Sequence, residues 1–249
     1  MQFTVPLLVS YLIAQTHGSP LISPRAGRPA YFLLTGDSTT APKGGWGDGF
    51  LSTTIAAGSS AHNYGHSGAT TASFRAGGDW NKVTKDISTY KDKYNVYVTI
   101  QFGHNDQKET SGVSLAQYTT NLENFASEAA AAGAIPILLT PLTRRVFSNG
   151  KVVESLSTQR NLTITAAESK NYRWIDLNMA SQNYVNAIGR TAASKYNLAS
   201  DDWTHLNEYG GVVFARLVSD LLVSKYPEIA KVTKANTTLS AALAAGKPA

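Results

Sequence analysis

Short apolar runs separated by amphipathic helices most constrain how this chain folds. Leu115, Tyr118, Leu122 and Phe125 recur at spacings of three and four, which is helical periodicity. Strands that alternate with such helices favour a parallel sheet covered on both faces. The sequence therefore predicts an α/β fold, a three-layer αβα sandwich around a central parallel sheet of about five strands. The segments with strand character are residues 31–35, 60–63, 95–102, 135–140 and 172–177.

The length of the chain predicts a single domain. The 249 residues are 43% hydrophobic, and no interior linker or repeat divides them. We place the domain at residues 29–230, and we expect residues 231–249, rich in Ala, Thr and Lys, to form a flexible tail. The sequence contains no cysteine, which excludes cysteine nucleophiles, zinc–thiolate sites and iron–sulfur clusters.

The N-terminus has the character of a secretory signal peptide. Residues 3–14 carry no charged side chain and are shorter than the roughly 20 residues that span a bilayer. We therefore expect a signal peptide over residues 1–18, a secreted, extracellular protein and no membrane partner. The basic residues typical of a leader are missing, so a buried first strand is the alternative. Asn161 and Asn236 begin two glycosylation sequons that fit secretion.

The charge of the chain is mildly basic but dispersed. Lys and Arg number 22 against 17 Asp and Glu, a net charge of +5. The densest clusters, residues 82–93 and 144–145, are interrupted by acidic or apolar residues, unlike a nucleic-acid-binding arm. We interpret them as solvated surface with a bias toward acidic partners. We expect no nucleic-acid partner and a monomer.

Polar residues with catalytic character follow the predicted strands or precede the last helix. Ser38 follows the first strand, Gly68 the second and Asn105 the third, while Asp202 and His205 precede the final helix. In an open α/β sheet, ligands bind beyond the carboxyl ends of the strands. We therefore expect these residues to share one cleft.

The residue types in this cleft suit acyl transfer. A serine hydroxyl is a weak nucleophile and needs a base, and a histidine has a suitable pKa near neutrality. A carboxylate fixes the tautomer of that histidine. Asp202 and His205 are three residues apart, so one turn can place them side by side, and this spacing favours Asp202 over its neighbour Asp201. The predicted triad is Ser38, His205 and Asp202, with no metal or cofactor.

A tetrahedral intermediate also needs preorganised hydrogen-bond donors for its oxyanion. The backbone N–H groups of Ser38 and Gly68 and the side-chain amide of Asn105 are the candidates. Gly65 competes with Gly68 for this role. His62 and His66 are four residues apart, but they lie in a glycine-bearing loop, so we favour a structural or substrate-lining role over a metal site.

Four segments together resemble the sequence blocks of the SGNH (GDSL-like) hydrolase superfamily. They are Gly-Asp-Ser-Thr at residues 36–39, Gly68, Gly-His-Asn-Asp at residues 103–106, and the Asp202-x-x-His205 pair. They are most similar to rhamnogalacturonan acetylesterases, which also show Gly-Trp-Gly, here residues 45–47, and Phe-Gly-His-Asn-Asp, here residues 102–106. The resemblance implies a flavodoxin-like SGNH hydrolase fold and the same roles for Ser38, Asp202 and His205. One departure is Ala69, because the family more often has a basic residue after this glycine.

The resemblance implies a secreted esterase that removes acetyl groups from plant cell-wall polysaccharide, most specifically rhamnogalacturonan, through an acyl-enzyme. Its partner would be an acetylated acidic polysaccharide, and His104 and Trp203 are the predicted substrate contacts. The alternatives are an acetylxylan esterase or a short-chain lipase of the same superfamily, or a non-catalytic carbohydrate-binding protein. No G-x-S-x-G elbow or P-loop motif occurs.

Overall fold

A computed structural model describes residues 22–249, so the predicted signal peptide at residues 1–18 lies outside the described residues. Its strands are β1 (Ala30–Gly36), β2 (Ser60–Asn63), β3 (Asn95–Gln101), β4 (Ile135–Leu139), β5 (Phe147–Ser148), β6 (Lys151–Val152) and β7 (Arg173–Ile175). Its α-helices are α1 (Gly47–Thr53), α2 (Thr71–Ala76), α3 (Asp79–Tyr90), α4 (Leu115–Ala132), α5 (Ser157–Ser169), α6 (Leu177–Ala193), α7 (Glu208–Lys225) and α8 (Thr237–Ala244).

Five of the strands form one parallel sheet in the order β2-β1-β3-β4-β7, as predicted. The chain adds β2 on one side of β1 and then returns to place β3 on the other side. The point between β1 and β3 is therefore where the order of the strands reverses. Ligand sites of open α/β sheets lie at this point, outside the carboxyl ends of the strands.

Alternating side chains of the sheet build two separate apolar cores. Phe32 and Leu34 of β1 face one core, which α1, α6, α7 and α8 cover. Tyr31 and Leu33 face the other core, which α2 to α5 cover. Every residue of β1 is buried because both faces of the sheet carry helices. This arrangement confirms the predicted three-layer sandwich.

Several local elements differ from the sequence prediction. The last strand of the sheet ends at Ile175 instead of residue 177, because Asp176 accepts a hydrogen bond from the Met179 N–H and begins α6 there. Helix α2 and the two-stranded hairpin of β5 and β6 were not predicted. No helix within residues 22–249 is long and apolar enough to cross a membrane.

The C-terminal residues 231–249 differ from the predicted flexible tail, because they include a helix that packs on the domain. Asn236 caps helix α8, and the side chain of Leu243 is buried in the core beside α7. The backbone N–H of Ala249 donates to the hydroxyl of Tyr196 at 3.2 Å. The polar composition of this segment obscured a few apolar residues whose burial holds it on the domain.

Candidate active site

A sharp turn at the end of β1 presents the predicted nucleophile. The N–H groups of Thr40 and Ala41 both donate to the carbonyl of Asp37 at 3.0 Å, so the chain reverses directly around Ser38. A side chain at Gly36 would collide with the carbonyl of Gln101 on β3, so this position needs glycine. Ser38 keeps 7% of its surface exposed at the carboxyl end of the sheet.

Asp37 is fully buried beneath this turn and fixes its shape. Its Oδ1 accepts hydrogen bonds from the N–H of Thr39 at 2.9 Å and the hydroxyl of Thr39 at 2.7 Å. Its Oδ2 accepts from the His104 N–H at 3.3 Å, which ties the turn after β1 to the loop after β3. Burial raises the pKa of Asp37, and these hydrogen bonds oppose that shift.

A continuous hydrogen-bond chain joins Asp202, His205 and Ser38. His205 Nε2 lies 2.8 Å from the Ser38 hydroxyl, and His205 Nδ1 lies 2.8 Å from Asp202 Oδ2. In the resting state Nδ1–H donates to the carboxylate and Nε2 accepts from the serine hydroxyl. The structure thus brings together the three residues that the sequence predicted as a triad.

The acidic member of this chain stays ionised. Burial would raise the pKa of Asp202, but hydrogen bonds from His205 and from the Thr204 N–H outweigh burial and hold it below its ordinary value. Asp202 Oδ1 accepts from the backbone N–H groups of Thr204 at 3.0 Å and His205 at 2.8 Å. Its neighbour Asp201 is exposed, so the choice of Asp202 fits the geometry.

The side chain of Arg145 contacts the Asp202–His205 loop from inside the protein and holds it in place. The sequence analysis did not predict this role. The side chain is 0% exposed. Its guanidinium donates to the carbonyl of His205 at 2.6 Å and to the side-chain oxygen of Asn197 at 2.7 Å. Burial lowers the pKa of Arg145 to about 10, so the group stays charged at neutral pH. The sequence interpretation of residues 144–145 as solvated surface is therefore wrong for Arg145.

Each of the three predicted oxyanion donors has an N–H that no acceptor in the described part of the chain takes. Within residues 22–249, the N–H groups of Ser38 and Gly68 donate to no protein acceptor. The Asn105 amide uses one hydrogen on the Ala69 carbonyl at 3.0 Å, and its second hydrogen is left for a ligand. Because Ala69 follows Gly68, this bond fixes Asn105 against the turn that carries the glycine.

Gly65 does not share these properties. Its N–H donates to the side-chain oxygen of Asn63 at 2.9 Å, so it is already engaged. A side chain at Gly65 would press on the backbone of Ala41, which makes this glycine a close-packing position. Gly68 instead has φ of +81° with open space around it. The geometry favours Gly68 over Gly65 as an oxyanion donor.

His104 does not line the site, contrary to its predicted substrate contact. The residue is 2% exposed, and Nε2 lies 2.8 Å from the Leu142 carbonyl. Burial, with the nearby charge of Arg144, lowers the pKa of His104 to about 3, so the ring is neutral and Nε2–H is the donor. His104 supports the loops beneath Ser38 because its ring reaches Leu142 and its backbone N–H reaches Asp37.

Trp203 lies between two members of the triad and keeps part of its surface exposed. The Arg190 guanidinium lies 5.1 Å from the centroid of its ring. The Trp203 carbonyl accepts from the Arg145 N–H at 2.8 Å, so the buried arginine also fixes this residue. Its predicted substrate contact stays a prediction.

The two remaining histidines within residues 22–249 contact neighbouring side chains. The ring of His62 lies 4.2 Å from that of Tyr64, and His66 Nδ1 lies 2.5 Å from Asp79 Oδ2. In the described part of the chain, no three His, Cys, Asp or Glu side chains cluster as metal ligands would.

A cleft of about 480 Å³ adjoins the catalytic loop. Gly44 lines this cleft, and a Cβ added to Gly44 would lie 3.7 Å from the His205 ring. Lys43, Asp48 and Glu208 give its wall polar character. Volumes of about 300–1,000 Å³ are typical of small-molecule sites.

Comparisons with known proteins agree with this geometry. A sequence profile described as the GDSL-like Lipase/Acylhydrolase family matches residues 34–211. A rhamnogalacturonan acetylesterase of Bacillus subtilis is 29% identical over 213 residues, which cover 78% of this chain and 89% of the relative. A probable rhamnogalacturonan acetylesterase of the same organism is 27% identical over 202 residues, covering 76% and 90%.

Solved structures share the fold. A Bacillus subtilis protein superposes with a TM-score of 0.69 at 26% identity and covers 82% of this chain, which spans 57% of that longer chain. An acetylxylan esterase of Geobacillus stearothermophilus superposes with a TM-score of 0.54 at 18% identity, covering 80% and 94%. The latter identity is low enough that the likeness concerns the fold alone.

The fold and these relatives define a carboxylic ester hydrolase, as the sequence predicted. More particularly, the chain belongs to the GDSL-like lipase/acylhydrolase family. The matched region includes the turn around Ser38 and the Asp202–His205 loop, so every residue of the predicted triad lies within it. The two Bacillus acetylesterases support an acetylesterase activity on carbohydrates.

Proposed function

We propose that this protein is a secreted serine esterase that removes acetyl groups from rhamnogalacturonan. The observation that carries the proposal is the hydrogen-bond chain from Asp202 through His205 to Ser38. With this chain in place, His205 takes the serine proton as Ser38 attacks the acetyl carbonyl. Asp202 stays ionised and stabilises the imidazolium that forms.

The reaction then proceeds through an acyl-enzyme. The tetrahedral intermediate places its oxyanion toward the N–H groups of Ser38 and Gly68 and the amide of Asn105. It collapses when His205 returns the proton to the departing sugar hydroxyl, which leaves an acetylated Ser38. A water molecule deprotonated by the same histidine attacks this ester, releases acetate and restores the serine hydroxyl.

The choice of an acidic polymer rests on charge and on the relatives. Arg144 stands beside the loop that carries Asn105, and within residues 22–249 it forms no ion pair with a carboxylate. Such a cation suits galacturonate units next to an acetylated sugar, and added salt should weaken this attraction. The Bacillus acetylesterases are named for rhamnogalacturonan, whereas the acetylxylan esterase shares only the fold.

Acetate release from acetylated rhamnogalacturonan and acetylated xylan, measured side by side, tests the proposal. We expect faster release from the pectin fragment, and none from the Ser38→Ala variant. Preferential release from xylan would keep the triad but refute the substrate. Full turnover by Ser38→Ala would refute the nucleophile. Polymer binding by the wild-type protein with no release would identify a non-catalytic binding protein.

Aryl esters of increasing acyl length separate an acetylesterase from a short-chain lipase. We expect kcat/KM to be highest for the acetate ester and to fall for butyrate and octanoate. A preference for the longer acyl chains would indicate a short-chain lipase and contradict the acetylesterase proposal.

The secretion proposal rests on the apolar residues 3–14 and the two sequons. Asn161 lies on α5 and Asn236 caps α8, and both are exposed to solvent. Expression in a secreting eukaryotic host should place the mature chain in the medium, with a mass shift on glycosidase treatment if a sequon is used. Retention of the full-length chain inside the cells would contradict secretion.

Size-exclusion chromatography with light scattering tests the expected monomer.

A further inference from the structure

Lys108 contacts the amide that the proposed reaction needs as an oxyanion donor. Its Nζ lies 2.8 Å from Asn105 Oδ1, and its backbone N–H donates to the Asn105 carbonyl at 3.1 Å. The Gln107 N–H donates to the Gly103 carbonyl at 3.1 Å, so the chain turns tightly between the two residues. The loop geometry therefore returns the lysine side chain onto the asparagine three residues earlier.

The ammonium of Lys108 has no competing carboxylate. Within residues 22–249, no Asp or Glu oxygen lies within ion-pair distance of its Nζ. An exposed lysine commonly has freely rotating solvent contacts, but here the side chain donates a hydrogen bond to Asn105. The uncompensated positive charge is thus applied to the amide oxygen.

The two sides of the Asn105 amide are held by opposite kinds of partner. An ammonium group has only donors, so it can meet only the oxygen of the amide. The Ala69 carbonyl has only acceptor character, so it can meet only the nitrogen. These two contacts set one amide orientation and leave the second N–H of the amide without an acceptor among the described residues. A charge-assisted bond to the oxygen also polarises the amide and strengthens its N–H donors.

We propose that Lys108 is a positioning residue of the oxyanion hole. Its ammonium holds and polarises the Asn105 amide, whose free N–H faces the oxyanion that develops on the acetyl carbonyl. This inference rests on the proposed serine esterase function. It differs from a role in binding the acidic polymer, because the effect of Lys108 would extend to substrates that carry no charge.

A neutral aryl acetate provides the test, because it has no carboxylate for a lysine to bind. We expect Lys108→Met to lower kcat/KM on 4-nitrophenyl acetate by about 10- to 30-fold, below the about 10²–10³-fold loss for a direct oxyanion donor. Lys108→Arg should restore most of that loss because it keeps a cationic donor. Lys151→Met, which removes the same charge from an exposed strand elsewhere, should match the wild type.

A double-mutant cycle with Asn105→Ala identifies the route of the effect. If Lys108 acts through the amide, Lys108→Met should cost almost nothing once Asn105 is alanine. Fully additive losses would overturn the proposal. So would wild-type kcat/KM on the aryl acetate combined with a raised KM on acetylated rhamnogalacturonan, since that result assigns Lys108 to polymer binding.

Two controls separate this inference from folding and from the proposed function. A lowered melting temperature in Lys108→Met with no rescue by Lys108→Arg would indicate a structural role and overturn the proposal. Ser38-dependent turnover of the aryl acetate by the wild type, with Lys108→Met unaffected, would refute only the Lys108 inference. Absence of Ser38-dependent turnover in the wild type would refute the esterase itself, and the inference with it.

Discussion

Replacement of Arg145 tests how far the conformation of the loop that carries Asp202 and His205 depends on one buried cation. The guanidinium is fully buried, and its two short hydrogen bonds reach the His205 carbonyl at 2.6 Å and the Asn197 side chain at 2.7 Å. Two further contacts, to the carbonyls of Thr204 and Asp202, are long at 3.4 and 3.5 Å. The short pair therefore carries most of the stabilisation.

The size of the effect follows from these two bonds. A hydrogen bond to a charged group contributes about 1.5–3 kcal/mol, so Arg145→Met should lower the free energy of unfolding by about 3–6 kcal/mol. The unfolding free energy of a typical domain is about 5–15 kcal/mol, so this variant retains little stability. Arg145→Lys keeps the charge but loses the planar fork, and it should fold with a smaller loss.

Urea unfolding and steady-state kinetics check both parts. Arg145→Lys should lower kcat more than it raises KM, because His205 shifts relative to Ser38 while the open cleft is unchanged. As a matched control, Arg190→Lys alters an exposed cation of α6 that lies over the Trp203 ring, and it should leave the unfolding free energy within about 0.5 kcal/mol. Wild-type stability in Arg145→Met would refute the reasoning.

Three further predictions concern the triad, a buried acid and the last helix. Asp202→Asn should lower kcat by about 10³–10⁴-fold, whereas exposed Asp201→Asn should stay within about twofold of wild type in the same ester assay. Burial raises the pKa of Asp106 from 3.8 to about 6. Its stabilising contribution is therefore present below pH 3.8 and lost as the pH rises through 6. The free energy of unfolding of the wild type, measured in urea, should therefore fall by about 3 kcal/mol between about pH 4 and 7, and Asp106→Asn should abolish this fall. Deletion of residues 237–249, which removes the buried side chain of Leu243, should lower the free energy of unfolding by about 1.5–3 kcal/mol by the same method.

The sheet could be predicted from the sequence because burial on both faces leaves a local mark. Segments such as residues 95–101 are rich in β-branched and aromatic residues, and their alternation with helices indicates a parallel sheet. Helix α8 could not be predicted in the same way. Its stability comes from burial of Leu243 against residues far away in the chain, which composition in a short window does not report.

The same contrast holds within the site. Asp202 and His205 are three residues apart, so their pairing is a local property that spacing reveals. The interaction of Arg145 with His205 spans 60 residues, and a pair of arginines in a loop gives no sign of burial. His104 shows the opposite error, since a histidine beside catalytic residues suggests substrate contact while its ring lies beneath the turn.

Three consecutive residues in the turn that carries the proposed nucleophile have different roles, one chemical and two structural. Gly36 allows β1 and β3 to approach closely, and Ser38 carries the hydroxyl of the proposed nucleophile. Asp37 is buried away from solvent: it joins the turn to the His104 loop, and its burial raises its pKa. A buried carboxyl lowers stability unless its hydrogen bonds compensate, and three donors surround this one. The sharp turn at the switch point is thus held by an acid that takes no part in the proton transfers. Asp37 and Asp202 are both carboxylates of the same site, and only their positions relative to His205 separate a structural role from a catalytic one.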